Sequence, residues 1–283
     1  MLKRQRTGSV LCTSCGSLVA VNDATCYNCG RRNPGLWGWA PVLRSLGHDV
    51  GFMPFIVGAC GAIYLLSYVL TMAAFGGSFG GLLSPSSRVL EFLGSSGAVP
   101  VFVYGRWLTL LSAGWLHGNI LHIVFNMMWV RQLVPATAEL YGPGRTVIIY
   151  TVSSISGFLL SSVIGFLAPG MPFVGAPYTV GASAAIFGLL GAVVYYGRRS
   201  GSRAASSQAW SYAVTAGAMG FLMTGVDNAA HIGGFAGGYL AGRLLDPLAH
   251  ERIDHIVIAG VCLLASVGAI VPRIIAIMIA VLR

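Results

Sequence analysis

Gly181-Ala182-Ser183-Ala184-Ala185-Ile186-Phe187-Gly188-Leu189-Leu190-Gly191 opens an apolar run over 181–197 that holds no charged residue and a single serine. A run of about 17 residues can just cross a bilayer as a helix. Six further runs of this kind lie at 53–76, 118–136, 146–168, 209–225, 229–245 and 256–280. The composition agrees, with 55% hydrophobic and 9% charged residues, where a soluble domain carries about 25% charged residues. The expectation is an all-α polytopic membrane protein with seven spans. The connection from 77 to 117 is long and holds Pro85, Pro100 and the apolar pieces Val89–Leu93 and Val101–Tyr104. It reads as a re-entrant or membrane-surface loop. Pro272 and Arg273 interrupt the last run, where the arginine either snorkels or marks its end.

The formal charge of +9 is spread between the apolar runs, as topogenic signals are, so nucleic acid is a weak expectation. With the amino terminus inside, cytosolic segments hold Lys3, Arg4, Arg6, Arg31, Arg32, Arg44, Arg131, Arg145, Arg198, Arg199, Arg203, Arg243 and Arg252. The external side keeps Arg88, Arg106 and Arg283. The first fifty residues are polar, so no cleavable signal peptide is expected there. The expected location is a multi-pass place in a bacterial plasma membrane.

Residues 1–32 form a separate unit. Cys12-Thr13-Ser14-Cys15 and Cys26-Tyr27-Asn28-Cys29 are two CxxC steps ten residues apart, each followed by glycine, Gly16 and Gly30. Four thiolates at this spacing suit a tetrahedral structural zinc ion, and the glycines let backbone amides turn toward sulfur. So small a segment lacks an adequate apolar core, so metal would supply its folding energy. Disulfides or free thiols are the alternatives. The expected role is a cytosolic docking module for a protein partner. Residues 33–51 form a linker in which Trp37, Trp39, Leu43 and Leu46 suit the headgroup region. Cys60 and Cys262 read as small core residues.

The expected topology places polar groups from three helices at one depth. Ser183 begins the fourth span, His231 lies about one turn into the sixth, and His122 and Asn126 lie near the mouth of the second, just below His117. Such groups are costly in hydrocarbon and face a bundle interior or a water-filled cavity. Ser183, Phe187 and Gly191 share one helical face, and His231, Gly234 and Gly238 share another. Gly234 and Gly238 form a GxxxG step that lets two backbones approach. Meeting faces would bring Ser183 within reach of His231, a nucleophile and general base needing no cofactor. Phe187 would pack on the imidazole. Asp227 is expected at the surface, which leaves a dyad. The Ser183 N–H, Asn126 amide and His122 ring are the candidate oxyanion donors. A proton channel or transporter, or a metal held by His117, His122 and His231, stays open on the residues alone.

At these residues the chain resembles the rhomboid intramembrane serine proteases. Gly181-Ala182-Ser183-Ala184 is similar to the family's GxSG motif, with Ala184 in place of the second glycine. Ala230-His231-Ile232-Gly233-Gly234 with Gly238 resembles its AHxxGxxxG helix. His117 to Asn126 resembles its HxxxxHxxxN segment, in which the second histidine and the asparagine help form the oxyanion hole and the first histidine is structural. The resemblance covers 52 to about 247. It implies a six-helix catalytic membrane domain at 52–247, an added seventh span at 248–283, and transmembrane protein substrates cleaved near the outer face. Thr109 stands where the family often has the arginine of a Trp-Arg pair. An inactive relative that binds membrane proteins is the alternative within the family.

Overall fold

Each of the seven expected runs is built around a helix. The structure, a computed structural model, describes residues 3–75, 83–170, 175–223 and 225–282. Residues 77–82 of the long connection, the span end at 76, residue 224 within the run 209–225, and Arg283 lie outside the described residues. A short antiparallel pair, β1 (Ser9–Leu11) and β2 (Leu18–Ala20), comes first. The helices follow as α1 (Ala40–Ser45), α2 (Phe52–Phe75), α3 (Ser87–Leu93), α4 (Thr109–Ser112), α5 (Ile120–Tyr141), α6 (Pro143–Leu167), α7 (Ser183–Ser200), α8 (Arg203–Leu222), α9 (Asn228–Leu244) and α10 (Ile253–Leu282).

Three stretches, Phe52–Ala73, Pro143–Leu167 and Ile253–Ile279, are long and apolar enough to cross a membrane by length and composition. The other four long helices are shorter or more polar: α7, α8 and α9 are rich in glycine, serine and alanine, and α5 carries His122, Asn126, Arg131, Gln132 and Glu139. Small residues let them pack on protein where α2 and α10 show apolar side chains outward. Leu65, Val69, Val257, Val261 and Leu264 are all exposed, the reverse of a water-facing helix.

One helix end differs from expectation. α5 runs on through Pro135 to Tyr141, where the sequence suggests an end near 136. Tyr141 is fully buried, and its hydroxyl donates to the Ala192 carbonyl at 2.8 Å. This anchor offsets the backbone bond that proline removes. α10 continues past Pro272 and Arg273 to Leu282, close to the expected end at 280, so the arginine does not mark its end.

α6 is the central helix. It packs against α5, α7, α9 and α10, while α8 leans mainly on α7 and α2 on α5. Two of its buried hydroxyls donate to carbonyls of the preceding turn, Thr151 to Val147 and Ser162 to Phe158. α7 and α9 meet with almost no side chain between them. A methyl built on Gly234, Gly238 or Gly191 would collide with the backbone of Ala184, Gly188 or Phe235 respectively. This is the close backbone approach that small residues permit between membrane helices.

The segment 83–119 is packed structure. Val89, Leu90, Leu93 and Val101 are buried. α3 is capped by the Ser86 hydroxyl, which accepts from the Arg88 N–H. Ser96 exchanges two backbone hydrogen bonds with Thr179, at 3.0 and 2.7 Å. Thr109 is buried, and its hydroxyl donates to the Arg106 carbonyl at 2.7 Å. That small polar residue ties its loop locally, without a long side chain.

Candidate active site

Caps set where the polar residues stand. Asn119 caps α5 by accepting from the His122 N–H at 2.8 Å, and Asp227 caps α9 by accepting from the Ala230 N–H at 3.0 Å. His122 therefore falls in the first turn of α5, and His231 just inside α9. Ser183 is the first residue of α7. Four residues before it, the Thr179 carbonyl accepts from the Ser96 N–H and lies outside any helix. The usual self-bond of a membrane serine to its i−4 carbonyl has no place here. The first intrahelical bond of α7 runs from Ile186 to Ala182 at 3.0 Å. The N–H groups of Ser183, Ala184 and Ala185 thus lie at the positive end of the helix without helical partners.

His231 is buried, and its ring stacks on Phe187 with centroids 4.1 Å apart and planes 12° apart. Phe187 is one turn along α7 from Ser183, on the same face. The structure thus brings the Ser183 face and His231 together as the spacing implies. No hydrogen bond joins Ser183 and His231 among the described residues. His231 Nδ1 is buried without a partner among them. Catalytic hydrogen bonds are often long before substrate binds. Asp227 does not reach His231 with its carboxylate. Its oxygens accept from the Ala230 N–H and the Ser161 hydroxyl.

His122 stands against the approach to Ser183. A methyl built on Gly181, which adopts φ +128°, would lie 2.5 Å from His122 Nε2. A side chain there would be strained and would displace the ring. His122 Nδ1 accepts from the Gly118 N–H at 3.4 Å. An accepting Nδ1 leaves the proton on Nε2, the nitrogen that faces Gly181. Asn126 is buried, and its amide donates to the His122 carbonyl at 2.8 Å, leaving one amide hydrogen. His117 is fully buried edge-to-face on His122, with centroids 5.1 Å apart. Among the described residues no side chain hydrogen-bonds to its ring, and the Trp115 backbone is the polar group that faces it. Packing on His122 fits a structural residue better than a metal ligand.

Ala184 is accommodated by a partner on α6 that motif reading overlooks. Were Gly157 to carry a methyl, it would lie 2.7 Å from the Ala184 methyl and 2.5 Å from the Ala230 carbonyl oxygen. The signal was present in Ser153-Ser154-Ile155-Ser156-Gly157, a small-residue stretch in the third apolar run.

The amino-terminal cysteines converge. Their four Sγ atoms lie within 4.8 Å of one another, with Cys12–Cys29 at 3.8 Å and Cys15–Cys26 at 3.6 Å. A tetrahedral ion with metal–sulfur bonds of about 2.3 Å places sulfurs about 3.8 Å apart, so the set fits. Gly16 and Gly30 adopt φ +75° and +70°, and the Ser14 N–H faces Cys12 Sγ at 3.4 Å. Burial opposes ionisation at Cys15, but hydrogen bonds with Ser17, Cys29 and Cys26 together outweigh it and bring the thiol down to about 6. At Cys29 burial, with the crowding sulfurs, pushes it up to about 12. Trp37 and Trp39 are exposed. Arg44 turns back to donate to the Cys12 carbonyl at 3.0 Å, tying the linker to the knuckle.

A family model described as a Rhomboid domain matches residues 104–247. The chain is 34% identical over 145 residues to the rhomboid protease GluP of Bacillus subtilis, covering 50% of this chain and 26% of that protein. It is 32% identical to RHOMBOID-like protein 4 of Arabidopsis thaliana, covering 58% of this chain and 40% of that one. Rhomboid-like protease 5 of Toxoplasma gondii is 33% identical, with 56% of this chain and 18% of that one covered. The chain thus spans less than half the length of these relatives.

Proposed function

The chain belongs to the rhomboid family of membrane proteins, whose members include proteases and inactive relatives, and on that premise we propose that it is an intramembrane serine endopeptidase. The observation that carries this reading is the stack of His231 on Phe187, one turn along α7 from Ser183. His231 takes the Ser183 proton as the hydroxyl attacks a substrate carbonyl, and returns it to the leaving amine. Stacking orients the imidazole, since Asp227 is committed to the α9 cap and Ser161. The free N–H groups at the start of α7, with His122 Nε2 and the remaining Asn126 hydrogen, stabilise the oxyanion in a site of low dielectric. A substrate helix hides its carbonyls in its own hydrogen bonds. Substrates with small or helix-breaking residues near the membrane boundary are therefore preferred. The charge distribution supports an amino terminus in the cytosol and cleavage near the outer face.

The reading is tested by fluorophosphonate labelling and by cleavage of a model transmembrane substrate. Wild type should label at Ser183, and Ser183→Ala and His231→Ala should neither label nor cleave. Cleavage by purified Ser183→Ala protein would end it. An inactive relative would leave wild type unlabelled.

For the knuckle, Cys12, Cys15, Cys26 and Cys29 would hold one structural zinc ion. The ion neutralises crowded thiolates and supplies folding energy, and the loaded unit docks a cytosolic protein. Cys12→Ser and Cys26→Ser should lower zinc per chain in the purified protein; unchanged content would refute the assignment.

A further inference from the structure

α10 lies beyond the stretch that the family model matches, and it is among the most apolar helices of the chain. It nevertheless carries Arg273, which is partly buried. A guanidinium in such a helix is costly and turns toward the bundle interior or water. Arg273 lies twenty residues into α10, or about 30 Å along its axis at 1.5 Å per residue. That brings it to the end of the bundle where α7 begins.

The side chain points to one place. A methyl on Gly94 would lie 3.2 Å from Arg273 Cδ, so the arginine stem rests on Gly94. Gly94 closes α3 in the left-handed conformation, φ +109°, with its N–H on the Leu90 and Glu91 carbonyls. The end of a helix attracts a cation through its free carbonyls. Arg273 has no ion pair or hydrogen bond among the described residues. The charge that acts on it is Arg106, of like sign. The stem contact with Gly94 therefore sets the cation beside the carboxyl end of α3, whose dipole favours positive charge.

From Gly94 a short path leads to Ser183. The Gly94 carbonyl accepts from the Ser112 hydroxyl at 2.7 Å. Ser96 pairs with Thr179 through both backbone bonds, and the Ala98 N–H donates to the Ala176 carbonyl at 2.9 Å. The Gly181 N–H donates to the Ala113 carbonyl at 3.0 Å. The strip 94–99 is thus the surface on which residues 176–181 are laid just before α7 presents the serine.

We propose that Arg273 is a positioning residue, through which α10 holds the 94–99 strip and so fixes the backbone that presents Ser183. This rests on Ser183 being the nucleophile. It makes the seventh helix a working part of the site.

The test uses the full-length purified protein in nanodiscs, as wild type, Arg273→Met and Arg273→Lys. Methionine keeps much of the apolar stem and removes the charge; lysine keeps the charge. For Arg273→Met the expected result is labelling of Ser183 and kcat lowered about tenfold, as small misplacements of reacting groups do. KM should stay within about twofold, and Arg273→Lys should recover most of the loss. Amide exchange at Ser96, Ala98 and Thr179 should quicken in Arg273→Met alone. Wild-type labelling and exchange in Arg273→Met would overturn the proposal. So would an equal loss in both variants, or a loss confined to KM. The exchange measurement separates the two readings. If Ser183→Ala still cleaves while Arg273→Met loosens these amides, the catalytic assignment falls and the hold of Arg273 on the strip stands.

Discussion

Gly157→Ala puts one methyl between the two halves of the proposed dyad. The added carbon would lie 2.7 Å from the Ala184 methyl and 2.5 Å from the Ala230 carbonyl oxygen. Those residues adjoin Ser183 and His231 in the chain. Ordinary contact begins at 3.4 Å, so the helices must part by roughly 0.7 Å on one side and 0.9 Å on the other to restore it. The Ala230 obstacle is backbone, which no rotamer change can move. Overpacking of this kind costs about 1–3 kcal/mol of stability. A misplacement of about 1 Å between reacting groups lowers rate on the order of 100-fold, equivalent to about 2.7 kcal/mol. The assay is kcat/KM on a model transmembrane substrate, beside the melting midpoint in detergent. Gly157→Ala should lose activity by one to two orders of magnitude while remaining folded. Adding Ala184→Gly removes one collision and leaves the other, so the double variant should recover part of the loss. Gly61→Ala is the control, since a methyl there meets nothing within 4 Å. Near-wild-type activity in Gly157→Ala, or no coupling between positions 157 and 184, would refute the claim that packing sets the dyad.

Three further outcomes follow from other contacts. Phe187→Ala removes the ring that stacks on His231 and should lower kcat about tenfold with little change in KM, given the ~0.5–1.5 kcal/mol of aromatic pairs; Phe187→Tyr, measured alongside, should keep most activity. Asp227→Asn preserves the cap and should retain activity within about threefold, whereas a loss near 10⁴-fold in steady-state rate would reveal a triad. Arg145→Met strands the Leu245, Asp246 and Ala249 carbonyls that the buried guanidinium now holds at 2.6–2.9 Å. Each unsatisfied group costs about 1–3 kcal/mol, so the midpoint of denaturant unfolding should fall markedly, with lysine a poor replacement for the forked geometry.

The long helices were legible because each is a local property, an apolar run of bilayer length bounded by charged or turn residues. The serine and histidine were legible for a related reason: one polar side chain in an apolar run is conspicuous, and helical periodicity tells which neighbours share its face. The i, i+4 spacing of Ser183 and Phe187 is enough to predict the ring against His231, where it stands. What could not be read are contacts whose partners lie far apart in the chain. Ser96 and Thr179 pair as two ordinary polar residues in two loops, and neither carries a pattern that names the other. Arg145 read as one positive-inside charge, yet it is buried and ties the start of α6 to residues a hundred positions on. α5 ends at Tyr141 rather than near 136, because the buried Tyr141 anchor on Ala192 lies on another helix and carries α5 on past the run.

These contacts define how the site would tolerate change. A serine protease that orients its histidine with a carboxylate depends on one hydrogen bond and one charge. Here the only nearby carboxylate among the described residues caps α9, and the imidazole is held by a flat contact with Phe187. Contact has no long range, so the orientation is only as good as the separation between α7 and α9. That separation is set by glycines whose replacement would press methyl groups onto backbone. Residues far less conspicuous than Ser183, such as Gly157 on α6 and Gly234 on α9, therefore govern the geometry more directly than any titratable neighbour does. The departure at Ala184 fits this logic. Its extra methyl is matched by the glycine at 157, so volume is conserved across the interface and the serine keeps its place.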